Sequence, residues 1–316
     1  MGNVASIAQI TPIDQCNVKD MTMCGSDLYV ATNEGYLIFD TKVGETKEMK
    51  TVGNLTSIIA KDQTDLWYIA NLGMSSTINH VKGTETTTYS VANGAIKGGQ
   101  YADVRARGLA YGPNNTVWFG AYGFFHKFDG KEWTNYTCPA SNFGRIYYKC
   151  FAFDSNGTVW VAGSDQQKNA TFGEFDPVKG EQTPVACDFA SDGVNSMFVD
   201  ANDNVWIGTD YKGFYKYDGS TFVNYNKDSE ANIDINIKTS ATTGLCQAAN
   251  GDIYYAFNKS LVCFSGDYMV VAGTVTNEDH PRDAITCLFP YGEYIFIGTA
   301  ETGVHCYNTT TGEITQ

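Results

Sequence analysis

The 316-residue sequence predicts an all-β fold, a seven-bladed β-propeller of four-stranded antiparallel blades closed by both chain ends in one blade. Three observations carry this. Aromatic and β-branched runs are separated by Gly, Asn and Asp, the punctuation of strands and hairpins. An aromatic residue followed two places later by a small one recurs seven times along the chain. The interval between copies is about 40–50 residues, the length of four short strands.

The second strand of each unit is the clearest. VWIG at 205–208 recurs as LYVA (28–31), WYIA (67–70), VWFG (117–120), VWVA (159–162), IYYA (253–256) and IFIG (295–298). Its aromatic column is Tyr29, Tyr68, Trp118, Trp160, Trp206, Tyr254 and Phe296, and its small column is Ala31, Ala70, Gly120, Ala162, Gly208, Ala256 and Gly298. A large residue beside a small one lets twisted neighbouring sheets nest. The third strand follows with Phe39, Val81, Phe128, Phe175, Tyr217, Phe264 and Tyr307. Asp129-Gly130, Asp218-Gly219 and Ser265-Gly266 come next, the chemistry of a tight hairpin. An apolar inner strand precedes each aromatic column, as in VNSMFVD (194–200), and an outer strand completes the unit.

One such sheet has two apolar faces and cannot bury them alone, whereas packed neighbours bury both. The tail after Phe296 and the head before Tyr29 together make one more period, so both chain ends are expected in one blade. VASIAQIT (4–11) is the outer strand offered for it, with GEITQ (312–316) as competitor. The whole chain, 1–316, reads as one domain.

The net charge of −14 makes nucleic acid a poor partner, because phosphate backbones attract basic patches. No run reaches the ~18 apolar residues of a membrane-spanning helix. Nine cysteines without a C-x-x-C pair exclude a zinc ribbon and read as free thiols, which favours the cytoplasm. The start MGNVAS fits the N-myristoylation pattern at Gly2, the one route by which a membrane enters as partner. Met-Gly equally fits a start that replaces a removed signal peptide. The chain would then be secreted or periplasmic, where the sequons at Asn54, Asn114, Asn135, Asn156, Asn169, Asn258 and Asn308 would matter.

Units such as NDNVWIGTDYKGFYKYDGSTFVNY and NNTVWFGAYGFFHKFDGKEWTNYT resemble the two-component-regulator propeller repeat. That resemblance implies a binding or sensor module. TGEITQ and the VW repeats are also similar to the virginiamycin B lyase family, seven-bladed enzymes with Pro-His-Gly-like inner-strand segments and a His/Glu site for a divalent metal. Here His80, His126, His280 and His305 are scattered and none follows a Pro.

Aligned inner strands place Lys19, Arg107, Lys149, Asn195 and Thr243 in one column, with Thr56 and Thr286 in the same row within one residue. In a propeller this column faces a mouth of the central channel. It suits a carboxylate, sulfate or phosphate, or alternatively pairs with acids of neighbouring blades. The connection NEDHPRD (277–283) offers Glu278, Asp279, His280 and Asp283 as metal-capable or acid/base groups beside Arg282. His80, His126 and His305 read as packing residues. Tyr122, Phe124, Phe125, Trp133, Tyr136, Tyr147 and Tyr148 divide between core and possible stacking surface. No phosphate-cradling loop or serine nucleophile elbow is present, and no cofactor or catalytic residue is assigned. The function read from the sequence is a non-catalytic binding module for a protein, peptide or glycan. The alternative is a metal-assisted lyase or hydrolase.

Overall fold

The structure, a computed structural model, describes residues 16–316 apart from 74, 99–106, 139, 142–143, 166, 168, 190–191, 235, 238–240 and 277. It is an all-β, seven-bladed β-propeller, each blade a four-stranded antiparallel sheet in sequential order. Blade 1 is β1 (Val18–Cys24), β2 (Asp27–Thr32), β3 (Gly35–Asp40) and β4 (Glu45–Thr51). Blade 2 is β5 (Asn54–Asp62), β6 (Asp65–Leu72), β7 (Ser75–Lys82) and β8 (Glu85–Tyr89). Blade 3 is β9 (Arg107–Gly112), β10 (Thr116–Ala121), β11 (Phe124–Phe128) and β12 (Trp133–Thr137). A small hairpin, β13 (Ala140–Ser141) and β14 (Gly144–Arg145), follows it. Blade 4 is β15 (Tyr147–Phe153), β16 (Val159–Ser164), β17 (Ala170–Asp176) and β18 (Glu181–Pro184). Blade 5 is β19 (Val194–Val199), β20 (Val205–Thr209), β21 (Phe214–Tyr217) and β22 (Phe222–Tyr225). Blade 6 is β23 (Gly244–Gln247), β24 (Ile253–Phe257), β25 (Ser260–Phe264) and β26 (Met269–Thr274). Blade 7 is β27 (Ile285–Tyr291), β28 (Tyr294–Thr299), β29 (Val304–Asn308) and β30 (Ile314–Thr315). Among the described residues no helix is long and apolar enough to cross a membrane.

The blades group into two compact units. The first holds blades 1 and 7 with most of blades 2 and 6; the second holds blades 3, 4 and 5. Within each, the apolar columns meet between neighbouring sheets. In the first unit Val18, Met21, Val30 and Phe39 of blade 1 pack on Phe296, Val304 and Cys306 of blade 7, and Tyr29 and Ala31 pack on Leu55, Ile58 and Tyr68 of blade 2. In the second, Trp118, Phe125 and Tyr136 of blade 3 pack on Phe151, Val161 and Phe175 of blade 4.

The small column works as expected. A side chain at Gly298 would run into Val18 and Cys287, one at Gly208 into Ser196 and Thr242, and one at Gly120 into the carbonyl of Tyr148. At Gly298 and Gly120 the obstacle from the neighbouring blade is its inner strand, and at Gly208 it is the connection that leads into blade 6.

The hairpins also obey local chemistry. Gly130 and Gly219 take φ values of 98° and 94°. Beside them the Asp129 carboxylate accepts from the backbone of Lys131 and Glu132, and that of Asp218 from Ser220 and Thr221. At the turn into the Trp strand, the buried Asp200 does more. It accepts from Asn202 N at 2.8 Å, Asn204 N at 2.9 Å and the Trp206 indole N–H at 2.7 Å. Burial alone would raise its pKa, but the hydrogen bonds from Trp206 and Asn204 outweigh that and hold it below the usual carboxylate range. Charge-assisted hydrogen bonds contribute about 1.5–3 kcal/mol each and leave costly orphans when one partner goes. Asp200→Ala is therefore expected to cost about 2–3 kcal/mol in urea unfolding, with Asp200→Asn recovering part of it.

Closure differs from the sequence expectation in one respect. All four described strands of blade 7 come from residues 285–315, and its outer position is held by the competitor segment, with Ile314 paired to Tyr307 and Thr315 to Cys306. Ile314 earns that place by packing over Gly273 of blade 6. Residues 4–11 and Gly2 lie outside the described residues. The described chain ends meet as neighbouring sheets: Thr286 Oγ1 donates to the carbonyl of Val18 at 2.7 Å, and Tyr291 OH to that of Gly25 at 2.7 Å.

Candidate functional site

The inner strands of blades 1, 2, 3, 4, 5 and 7 each carry an irregularity near their start. Val18 pairs with Thr32 and Asp20 with Ala31, leaving Lys19 as an extra residue. The same shift isolates Thr56 on β5, Lys149 on β15, Asn195 on β19 and Thr286 on β27. A β-bulge re-aims the side chain it displaces. The sequence column is thus a column of bulged residues, each just after a buried anchor (Val18, Leu55, Tyr148, Val194, Ile285). Lys19, Thr56, Lys149 and Thr286 are half-buried; Asn195 and Thr243 are exposed.

Arg107 stands outside this pattern. It pairs with Gly120 while Ala110 pairs with Trp118, so the irregular position in blade 3 falls on Gly108. The physical reason is space. The carbonyl of Lys149 lies 2.1 Å from where a Cβ at Gly108 would be, and Gly108 has φ of 66°. No side chain fits there, so the cation of the sequence alignment belongs one place earlier.

Two members of the column join neighbouring blades. Thr286 bonds the Val18 carbonyl of blade 1, as described above. Asn195 Nδ2 donates to the carbonyl of Thr242, the residue before Thr243 at the entrance to blade 6, at 3.2 Å, and to Asp210 Oδ1 at 2.6 Å. In blade 5, then, the column faces a carboxylate, which suits an uncharged or cationic group better than an anion.

The connections that reach this end of the sheets are held by two carboxylates: Asp192, which sequence reasoning overlooked, and Asp283, which it grouped with the metal-capable loop. Asp192 is buried and accepts from Gly193 N at 2.9 Å, Tyr211 N at 2.9 Å and Lys212 N at 2.8 Å. Asp283 is its counterpart in blade 7, accepting from Ala284 N at 2.9 Å, Glu301 N at 2.8 Å and the Thr302 hydroxyl. Both lie two residues before an inner strand, as Asp-Gly-Val and Asp-Ala-Ile, a signal visible in the sequence. Each fixes the turn after its Trp-type strand; Tyr211 is presented there with 69% of its surface exposed.

The metal-capable loop is less organised. Glu278 and Asp279 are exposed, and His280 Nδ1 lies 3.1 Å from Glu301 Oε2. Among the described residues no three His, Cys, Asp or Glu side chains form a group able to hold a metal ion. The remaining histidines pack within blades. His126 is fully buried, bonds Asn135 at 2.7 Å, and burial pushes its pKa down to about 4. His305 is buried against Thr302. His80 stacks on Trp67 at 3.9 Å and bonds Asp65 at 2.8 Å. Of the aromatic group in blades 3 and 4, Phe125, Tyr136 and Tyr148 are core, and Trp133 packs on Phe128 and Tyr89. Tyr122, Phe124 and Tyr147 are half-buried.

Residues 188–211 match the two component regulator propeller family. No curated protein matches the chain. Among solved structures, the catalytically inactive virginiamycin B lyase from Staphylococcus aureus with quinupristin aligns at a TM-score of 0.73. It is 11% identical, covering 94% of this chain and 96% of that one. The extracellular domain of a hybrid two component system from B. thetaiotaomicron aligns at 0.72 and 13% identity, covering 96% of this chain and 40% of that one. A streptogramin B lyase aligns at 0.68 and 13%, covering 94% of each chain. At these identities the likeness establishes the fold.

Proposed function

We propose that the chain is a non-catalytic binding module of interaction or sensor type. It would meet a protein, peptide or glycan at the ends of the sheets where the inner strands begin. One observation carries this reading: in blades 4, 5 and 7 the long entering connection and the bulged polar residue fall at the same end of the sheet. Segments 138–146 and 185–193 enter the inner strands of blades 4 and 5, 226–243 enters that of blade 6, and 275–284 enters that of blade 7. The opposite ends close with short turns such as 25–26, 129–132 and 218–221. Binding residues concentrate on connections held by a rigid scaffold, and here Asp192 and Asp283 supply the rigidity.

The test is a glycan array and a pull-down with the intact protein, followed by Lys149→Ala and Asn195→Ala in the affinity measurement. A captured ligand should lose about tenfold or more in affinity, as hot-spot truncation does. Undiminished binding in both variants would move the site elsewhere. The same preparation titrated with sulfate and phosphate, against Arg107→Ala and Lys149→Ala, tests the anion reading.

The second reading, a metal-assisted lyase or hydrolase, is favoured by the likeness to two lyases. A rise in melting temperature with a divalent ion, abolished by His280→Ala, would support it over the binding module.

A further inference from the structure

The residue after each bulge forms its own row: Asp20, Ser57, Cys150, Ser196 and Cys287. Four of the five are small and uncharged, as suits an inner strand pressed against neighbouring sheets. Asp20 is the exception. It spans the junction between blades 1 and 2: Oδ2 accepts from the Ser57 hydroxyl at 2.7 Å and from Ile58 N at 3.0 Å, while Oδ1 accepts from Met21 N at 2.9 Å.

We propose that Asp20 is a proton-operated latch between β1 and β5, tightening the junction of the first two blades in mild acid and loosening it at neutral pH.

The geometry supplies the mechanism. As a carboxylate, Asp20 holds three donors, all of them neutral groups: the Ser57 hydroxyl and the Ile58 and Met21 amides. Burial is the largest influence, and it outweighs the hydrogen bonds from Ser57, Ile58 and Met21 to push the pKa up to about 6. As a neutral acid it still accepts from Ile58 N–H, and its new O–H can be donated to Ser57, whose hydroxyl turns from donor to acceptor. The proton removes the desolvation cost without breaking the cross-link.

The neighbouring elements place few charges against it. From β27 the facing titratable group is Cys287, a half-buried thiol whose pKa is raised by desolvation and further by Asp20 itself. β5 presents Ser57 and Ile58, with Lys61 and Asp62 at its far end. The titratable residues of β2, Asp27 and Tyr29, pair with Cys24 and Thr22, further along β1. On β28, Tyr294 lies at the end remote from Thr286. On β1 itself Lys19 precedes Asp20 on the bulge, and Cys24 ends the strand.

The sign follows from linkage. The folded-state pKa of about 6 lies above the ordinary carboxylate value of 3.8. The folded protein therefore binds more protons between these values, and this contribution to stability falls as pH rises through the window. Only across the whole span between the two values does this reach about a hundredfold in the folding equilibrium.

The experiment compares melting temperature against pH, from 5.0 to 7.5, for the wild type, Asp20→Ser (the residue blade 2 uses in this row) and Asp20→Asn. Wild type should lose stability on going from pH 5.0 to 7.5 relative to either variant, the equivalent of about tenfold in the equilibrium. In parallel, exchange of the Ile58 amide, corrected for its intrinsic pH dependence, should quicken with rising pH in the wild type alone. Superimposable profiles in all three proteins overturn the latch. Should neither variant fold, carboxyl-detected NMR of the wild type decides. A carboxyl titrating near pH 6 together with the Ile58 amide upholds it, and an Asp20 carboxyl titrating near 4 overturns it.

Discussion

Trp118→Ala is expected to cost about 3–5 kcal/mol and to unfold the second unit at temperatures the parent protein tolerates. Trp118 is 1% exposed and sits where two sheets meet. Its ring lies against Phe125 and Tyr136 of its own blade and against Phe151, Phe153 and Phe175 of blade 4, at centroid distances of 6.0–6.4 Å. The indole N–H is bound to Thr116 Oγ1 at 2.9 Å, and Lys127 lies over the ring at 5.8 Å. Truncation leaves a cavity bounded by rigid aromatics from two strands pairs, which cannot collapse inward without dragging backbone along. Trp118→Phe keeps most of the volume and should cost less than half as much. The check is equilibrium urea unfolding followed by far-UV circular dichroism. A midpoint within error of wild type for the alanine variant would show that blades 3 and 4 do not share this core.

The second large effect is at Gly120. A Cβ there would lie 1.5 Å from the carbonyl oxygen of Tyr148, so Gly120→Ala forces the inner strand of blade 4 away from β10. Overpacking typically costs about 1–3 kcal/mol where side chains can yield. Here the obstacle is backbone, and the expected loss exceeds that range, with much of the protein insoluble on expression. Gly219→Ala is the control. Its φ of 94° favours glycine but nothing lies within 4 Å of the added methyl, so the penalty is the conformational one alone, about 1 kcal/mol. A Gly120 variant no less stable than the Gly219 variant would refute the close approach of the two sheets.

Much of this architecture is written in short-range patterns. The seven aromatic–small pairs fall on second strands, the third column is buried in six of seven positions, and the Asp-Gly steps are hairpin turns. These follow from strand alternation and turn chemistry, which neighbouring residues determine. The site was less legible. Bulges break the alternation by one residue, and the sequence gives no local sign of where the break falls; in blade 3 it falls on Gly108, one place after Arg107. Asp20 reads as an ordinary polar residue on a strand, because its enclosure comes from Ser57 and Ile58, 37 and 38 positions further on. The choice of Ile314 over residues 4–11 rests on its fit against Gly273, again a contact between sheets.

The join between β1 and β27 has a bearing on synthesis. Val18 and Thr286 are 268 positions apart. A nascent chain therefore displays Val18, Met21, Val30 and Phe39 on one side of its earliest sheet until Phe296 and Val304 have left the ribosome. At about 5–20 residues per second that is a delay of some tens of seconds. Throughout it, an apolar sheet awaits its cover, so chaperone demand should concentrate on the first hundred residues rather than the last.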